Sequence, residues 1–196
     1  SNGTLAIGGN FNDAAFNGAL NIAPGARLRF DQVNKLSNTS TITLASGSVF
    51  DVGPGDYIGW VSGMGVLTNM TGDLGLDVLA SDIILGGNIY GTTNHGLTLR
   101  GGTSRGGTLW LTGTNNFSFL RSQGSSDFRF ASNGVTYVGG NFQLNTGGGF
   151  DGADMILEDQ AVVNTLYLRM MESSGHNATL IQRGGTLIVR GSDDEE

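Results

Sequence analysis

The sequence predicts an all-β fold in which short strands wind into stacked coils, a β-solenoid. Short runs of residues alternate apolar and polar side chains with the period of two that half-buried strands show. Turns rich in glycine and asparagine separate these runs at near-regular spacing. A sandwich or a barrel also satisfies both observations. A strand phrase that recurs along the chain favours the solenoid, and the β-sandwich remains the alternative.

The clearest phrase is GGTLWLTGTNNFS at residues 106–118. Its alternation puts Leu109 and Leu111 on one face of a strand and the residues between them on the other. We expect residues 113–116 to form a polar turn and Phe117 to begin the next strand. Weaker copies of the phrase lie at residues 3–11, 18–30 and 184–191.

The first half of the chain contains further strand candidates between its turns. They are residues 40–52, 57–61 and 66–69, two strands within 74–90, and 96–100. We expect Ile42, Leu44 and Val49 to face the same side. The residues that we expect to be buried in the segment 74–90 are Leu76, Val78, Ile83 and Leu85.

In the second half, residues 127–130, 135–144, 178–182 and 186–190 read as strands. Residues 155–171 are ambiguous. A helical stripe would join Leu157, Ala161 and Leu168, whereas Leu166, Leu168 and Met170 alternate as in a strand. We favour the strand.

Coils of roughly 20–25 residues would give about eight or nine turns, and strand spacing of ~4.8 Å would make the body about 40 Å long. Glycine suits coil corners that need positive φ, and asparagine can form side-chain ladders between coils. We expect residues 1–191 to form a single solenoid domain and residues 192–196 to be a disordered acidic tail.

Charge and composition exclude several classes of protein. The net charge is −7 and Lys35 is the only lysine, so the chain lacks the positive face that binding to nucleic acid or an anionic membrane requires. The sequence contains no apolar run of about 18 residues, so it predicts no membrane-spanning helix. The chain contains no cysteine, which suits an exported bacterial protein. It opens Ser-Asn-Gly-Thr without an initiator methionine, which predicts either a removed signal peptide or a piece of a longer protein.

The phrase at residues 106–118 resembles the autotransporter-associated β-strand repeat of exported bacterial proteins, whose usual form is approximately GGTLxLxGxNxFSG. The matching positions are Gly106, Gly107, Thr108, Leu109, Leu111, Gly113, Asn115, Phe117 and Ser118. Phe119 departs from the pattern, which has glycine there. The resemblance implies a right-handed parallel β-helix at the cell surface or outside the cell. It implies no catalytic residues, because the repeat is structural.

Two patterns suggest chemistry. Residues 102–106 spell GxSxG, but a nucleophile elbow needs a following helix and partner residues, and only His176 of the two histidines follows Ser104. We interpret this segment as a turn. We expect His95 and His176 to be solvated turn residues.

The densest acidic group consists of Asp151, Asp154, Glu158 and Asp159. These residues could bind Ca²⁺, or they could act on a glycan together with Arg169. We interpret them as solvated loop charges.

The aromatic residues Tyr57, Trp60, Tyr90 and Trp110 could stack on sugars, although packing within the sheets is the favoured interpretation. We predict no catalytic residue, metal or cofactor. The expected function is that of a non-enzymatic extracellular rod, adhesive segment or fibre subunit that self-associates head to tail. The alternative is a parallel β-helix that binds or degrades polysaccharide.

Overall fold

The computed structural model describes residues 3–8, 18–31, 41–53, 57–58, 60–70, 73–77, 82–91, 95–101, 106–144, 146, 152–170 and 177–191, and no helix occurs among them. The strands in chain order are β1 (Thr4–Ile7), β2 (Ala19–Ile22), β3 (Arg27–Phe30), β4 (Thr41–Leu44), β5 (Val49–Gly53), β6 (Tyr57–Ile58), β7 (Trp60–Gly63), β8 (Val66–Met70), β9 (Leu74–Asp77), β10 (Ile83–Leu85), β11 (Ile89–Gly91), β12 (Leu97–Arg100), β13 (Thr108–Leu111), β14 (Thr114–Phe117), β15 (Leu120–Gln123), β16 (Asp127–Phe130), β17 (Val135–Leu144), β18 (Ala153–Leu157), β19 (Val162–Met170), β20 (Ala178–Gln182) and β21 (Thr186–Val189). The prediction of an all-β fold is confirmed.

The strands stack into three faces. Face 1 is an 8-stranded sheet with the order β2-β4-β7-β10-β13-β16-β18-β20. Face 2 contains β1, β3, β5, β8, β11, β14 and β21 together with the first parts of β17 and β19. Face 3 contains β6, β9, β12 and β15 together with the second parts of β17 and β19. Because β17 and β19 run through the corner, faces 2 and 3 form one 13-stranded sheet.

Each strand pairs in parallel with the equivalent strands one turn away, as Leu109 does with Ile83 and Phe128 on face 1. The solenoid prediction is confirmed, and the sandwich alternative is wrong because the described pairs are parallel. About six turns contribute a described strand to all three faces. Counted along the axis, face 1 has eight described strands and face 2 has nine, which agrees with the predicted eight or nine rungs. The right-handed sense stays a prediction.

Apolar side chains form continuous columns inside the solenoid. On face 2 one column runs through Leu5, Leu28, Phe50, Leu67, Ile89, Asn115, Thr136, Val163 and Leu187. On face 1 the equivalent column includes Ile83, Leu109, Phe128, Met155 and Leu180. Each side chain covers the next, so the middle members are fully buried while Leu5 is 50% exposed. Burying this apolar surface is the main stabilising contribution.

The interior column of face 2 contains one pair of polar residues, Asn115 and Thr136. Asn115 is fully buried, and its Nδ2 donates hydrogen bonds to the carbonyl oxygen of Gly113 and to Oγ1 of Thr136 in the next turn, both at 3.1 Å. The expected asparagine ladder is therefore, at this position, an asparagine–threonine pair. Because a buried donor costs free energy unless it is hydrogen-bonded, this pair favours the observed register of β14 against β17. Oδ1 of Asn115 is buried with no hydrogen-bond partner among the described residues.

Several predicted elements agree with the structure. Strands β16, β17 and β20 have the predicted bounds, and Leu76, Ile83 and Leu85 are buried, whereas Val78 lies outside the described residues. The helical alternative for residues 155–171 is wrong, because the neighbouring turns pair with β18 and β19 as strands.

Two local expectations are wrong, and both involve corners. Thr114–Phe117 is strand β14 and not a polar turn followed by a strand at Phe117, because β11 and β17 supply hydrogen-bond partners on both sides. Val49 is only half-buried, whereas Phe50 and Val52 are fully buried. The corner at residues 45–48 carries the chain from face 1 to face 2, so the alternation begins again there.

Small residues form a column at the corner between faces 1 and 2. In register order they are Ser48, Gly65, Gly87, Gly113, Gly134, Ala161 and Gly185. A Cβ added at Gly113 would lie 2.7 Å from the carbonyl carbon of Gly87, and one at Gly87 would lie 2.5 Å from that of Gly65. Neither Gly87 nor Gly113 has a positive φ. At these positions the reason for glycine is therefore close approach of stacked backbones, and not the positive φ expected from the sequence.

We expect Gly113→Ala to destabilise the protein by about 1–3 kcal/mol, because the added methyl group overpacks the corner against Gly87. Gly139→Ala is the matched control, since a Cβ there meets its nearest atom, the carbonyl oxygen of Phe117, at 3.8 Å. The midpoint of urea unfolding should fall for Gly113→Ala and stay close to the wild-type value for Gly139→Ala. Equal midpoints for the two variants would contradict this explanation.

Candidate functional site

The acidic group near residues 151–159 is built into the turns of the solenoid. Glu158 follows β18, and its Oε2 accepts hydrogen bonds from Nε and Nη2 of Arg129 at 2.8 and 2.5 Å. Its Oε1 accepts a hydrogen bond at 3.0 Å from Nη1 of Arg183 in the following turn. The Glu158 side chain is 14% exposed. The carboxylate therefore joins three turns and is not the solvated loop charge that the sequence suggested.

The arginine on this carboxylate also contacts an aromatic ring. The Arg129 guanidinium carbon lies 3.9 Å from the centroid of the Trp110 ring, in the preceding turn of face 1. Trp110, Arg129, Glu158 and Arg183 thus form a chain of contacts along the solenoid axis. The hydrogen bond from Arg129 lowers the pKa of the Glu158 carboxyl, the bond from Arg183 acts in the same direction, and burial partly opposes them.

The other acidic residues also make structural contacts. Oδ2 of Asp159 accepts a hydrogen bond from the backbone N–H of Ser132 at 2.9 Å, and Asp159 itself has a φ of 55°. The backbone N–H of Asp154 donates to Oδ1 of Asp127 at 2.8 Å. Asp151 lies outside the described residues. Within the described part of the chain, no group of three metal-ligating side chains comes together. The geometry brings Glu158 to two arginines.

The serine and histidine candidates are only partly described. Ser104 and His176 lie outside the described residues, so the GxSxG interpretation stays untested. The Nδ1 atom of His95 lies 3.4 Å from Oδ1 of Asp73, with 32% of the histidine side chain exposed. His95 is therefore beside a carboxylate, and not only solvated as the sequence suggested.

The aromatic residues differ in how much of each ring is covered by other side chains. The Trp110 ring lies under Arg129, and its Nε1 donates a hydrogen bond at 3.4 Å to Oδ2 of Asp82. Tyr90 on face 2 is 47% exposed, so its predicted packing within the sheet leaves much of the ring open to solvent. Sequence reasoning missed Tyr137, which is 46% exposed on the same face. The side chains of Tyr57 and Trp60 are not among those described.

The alternation within residues 135–144 was a signal that could have found Tyr137. It places Val135 and Tyr137 on one face of the strand and Thr136 and Val138 on the other face. An aromatic residue whose sequence neighbours are buried therefore faces outward. What the alternation does not give is the strand that lies beside Tyr137. The structure supplies that information, because Tyr137 pairs with Asn116 of β14 and with Asn164 of β19.

Both ends of the stack expose side chains that point into the column. Leu5 of β1 is 50% exposed although its register partner Leu28 is fully buried. Val189 of β21 is 45% exposed although its partner Thr165 is fully buried. In the described part of the chain, β1 pairs only with β3 and β21 only with β19. Within the described residues, each end therefore presents an apolar side chain and a strand edge with no pairing partner.

Comparison of the chain with protein families, curated proteins and solved structures found no match. The resemblance of residues 106–118 to the autotransporter-associated repeat thus stays a prediction. Among the described residues there is no helix with the length and apolar character to cross a membrane.

We expect Glu158→Gln to destabilise the protein by about 1–3 kcal/mol at pH 7, because two arginines lose their charged acceptor. The lowered pKa means that the folded state binds protons less readily than the unfolded state. The stabilisation is therefore complete above the ordinary value of 4.5 and is lost as the pH falls through the lowered folded value. Urea unfolding at pH 7, 5 and 3 should show the wild-type advantage shrink below about pH 4.5.

Asp31→Asn is the control for this measurement. Asp31 pairs with Arg29, but both side chains are nearly half exposed, so we expect little or no change in the midpoint of urea unfolding. An advantage of wild type over Glu158→Gln that stayed constant from pH 7 to pH 3 would contradict the assigned role of the carboxylate.

Proposed function

We propose that the protein is a structural β-solenoid, acting outside the cell or at the cell surface, whose copies stack head to tail into a fibre. One observation carries the proposal: the interior column of face 2 begins at exposed Leu5 and ends at partly buried Leu187. A further turn added at either end would continue that column in the same register. The occupant that we assign is a second copy of this chain.

The contact would join β21 of one copy to β1 of the next on face 2. It would place Leu187 against Leu5 and Val189 against Ile7, covering the apolar surface that each end exposes. The unpaired edges would also exchange backbone hydrogen bonds, as in strand addition. Because the two ends differ, such a contact is heterologous and extends without closing into a fibre.

The N-terminal end is stepped. Strand β1 extends face 2 one turn beyond β2 on face 1, and a groove of about 380 Å³ lies at the step. Leu5, Ile22 and Ala26 supply its apolar wall, and Arg27 lies at its margin. The joint on face 2 would therefore leave a recess on face 1 that helps to set the rotation between successive copies.

A structural role is also supported by the use that the chain makes of its acidic residues. Glu158, Asp159 and Asp127 each hold groups from a different turn of the solenoid, so these carboxylates act as connections between turns. The absence of cysteine in the sequence suits export, and the proposed extracellular location rests on that composition together with the repeat-like phrase.

Assembly can be tested with one variant at each end. We expect the wild-type protein to form fibres in negative-stain micrographs, and Leu5→Asp or Val189→Asp alone to remain monomeric. An aspartate at either end would place an unpaired charge in the joint. A mixture of the two variants has one intact joint, formed by the wild-type end of each. It should therefore yield dimers that do not grow, measured by analytical ultracentrifugation.

Ile84→Asp is the matched control, because Ile84 is also 50% exposed but lies on the side of the rod, in β10. It should assemble as the wild type does. Wild-type protein that stays monomeric at high concentration would overturn head-to-tail assembly, as would fibres formed by both end variants.

The non-catalytic part of the proposal has its own test. Incubation with polygalacturonate, xylan and a β-glucan should release no reducing or unsaturated ends, because the carboxylate of Glu158 is held by two arginines. Product that appears with the wild type and is lost with Glu158→Gln or Asp154→Asn would show an enzyme instead.

A further inference from the structure

The outer surface of face 2 carries a regular row of aromatic and amide side chains. Tyr90 of β11 pairs with Asn116 of β14, Asn116 with Tyr137 of β17, and Tyr137 with Asn164 of β19. All four residues occupy the outward positions of their strands, and the positions beside them in β14, β17 and β19 point into the core. Along the axis of the solenoid the exposed row therefore reads Tyr-Asn-Tyr, and it is followed by Asn164, whose Oδ1 is buried with no hydrogen-bond partner among the described residues.

The two tyrosine rings are accessible. Tyr90 is 47% exposed and Tyr137 is 46% exposed, which is high for an aromatic residue in the middle of a sheet. Nδ2 of Asn88 donates a hydrogen bond at 3.1 Å to the hydroxyl oxygen of Tyr90, which restricts the orientation of that ring. Asn116, between the tyrosines, is also exposed.

The surface around the row is uncharged. From β8 to β21 the described outward positions of face 2 are Val66, Thr68, Tyr90, Thr114, Asn116, Val135, Tyr137, Val162, Asn164, Thr186 and Ile188. This is a long neutral strip in a chain whose net charge is −7. An acidic polymer would gain no cationic partner on this strip and would be repelled by the protein as a whole.

The spacing of the rings fits an extended ligand. Tyr90 and Tyr137 are separated by two strand spacings, or about 9–10 Å along the axis. That distance is comparable with the length of a disaccharide unit in a β-1,4-linked glycan, whose flat sugar rings present C–H groups to aromatic faces. Asn116 lies where the amide could exchange hydrogen bonds with the hydroxyls of a sugar ring between the two stacking positions.

We propose that the row Tyr90–Asn116–Tyr137 binds a neutral β-1,4-linked glycan that lies along the solenoid axis. The tyrosines supply the stacking surface, and Asn116 supplies hydrogen bonds that position a sugar ring. This site lies on the side of the rod and is separate from the end surfaces of the proposed fibre contact. Failure of either proposal would therefore leave the other unaffected.

Isothermal titration calorimetry of the full chain with cellohexaose, xylohexaose and cellobiose tests the site. At least one of the hexasaccharides should bind, and cellobiose should bind more weakly than cellohexaose because it is too short to cover both tyrosines. Removing both rings with Tyr90→Ala and Tyr137→Ala together should weaken binding of the hexasaccharide by about tenfold or more. Tyr137→Phe keeps the stacking surface and should retain most of the affinity.

Two controls separate stacking from loss of structure. Ile84→Ala removes a similarly exposed apolar side chain from face 1 and should leave the affinity unchanged. The double tyrosine variant should keep the wild-type circular dichroism spectrum and should still form fibres wherever the wild type does. No binding of either hexasaccharide by the wild type would overturn the proposal. Equal binding by wild type and the double variant would overturn it as well.

Discussion

The parallel stacking of each strand on the strand one turn away is the constraint on which the rest of this structure depends. At a spacing of about 4.8 Å, every side chain has its nearest neighbours at the same position of the adjacent turns. Inward positions therefore form continuous columns, and the column from Leu28 through Phe50 to Leu67 has no accessible surface. Stability depends on each turn covering the next, and a single turn cannot bury its own apolar side.

The same spacing restricts the corners more strongly than the faces. Where the chain turns from face 1 to face 2, stacked backbones approach so closely that a Cβ at Gly87 or Gly113 would clash with the carbonyl group of the preceding turn. Loops elsewhere absorb large differences in length: paired residues are 17 apart at Val49 and Val66, but 27 apart at Val135 and Val162. Insertions thus leave the register unchanged when they fall outside the strands and this tight corner.

Polar contacts follow the same neighbour rule and connect turns that are distant in sequence. Trp110, Arg129, Glu158 and Arg183 contact one another in order because they lie on or beside successive strands of face 1. On face 2 the rule aligns Tyr90 with Tyr137 through Asn116. One geometry therefore produces a structural connection on one side of the rod and an uncharged aromatic surface on another. It also leaves Leu5 and Val189 partly uncovered where the stack ends.

The sequence by itself determined the all-β character and buried positions such as Leu76, Ile83 and Leu85, because alternation with a period of two is a local property, and the recurring phrase favoured the solenoid. Residues 127–130, 135–144 and 178–182 were identifiable as strands for that reason. It did not determine the strand at Thr114–Phe117, the outward position of Val49 or the reason for glycine at residue 113, since each depends on what the neighbouring turns place beside it. The partners of Glu158 and the alignment of Tyr90 with Tyr137 were likewise decided only by the tertiary structure. Loop lengths vary from turn to turn, so the register that brings these residues together cannot be counted along the chain.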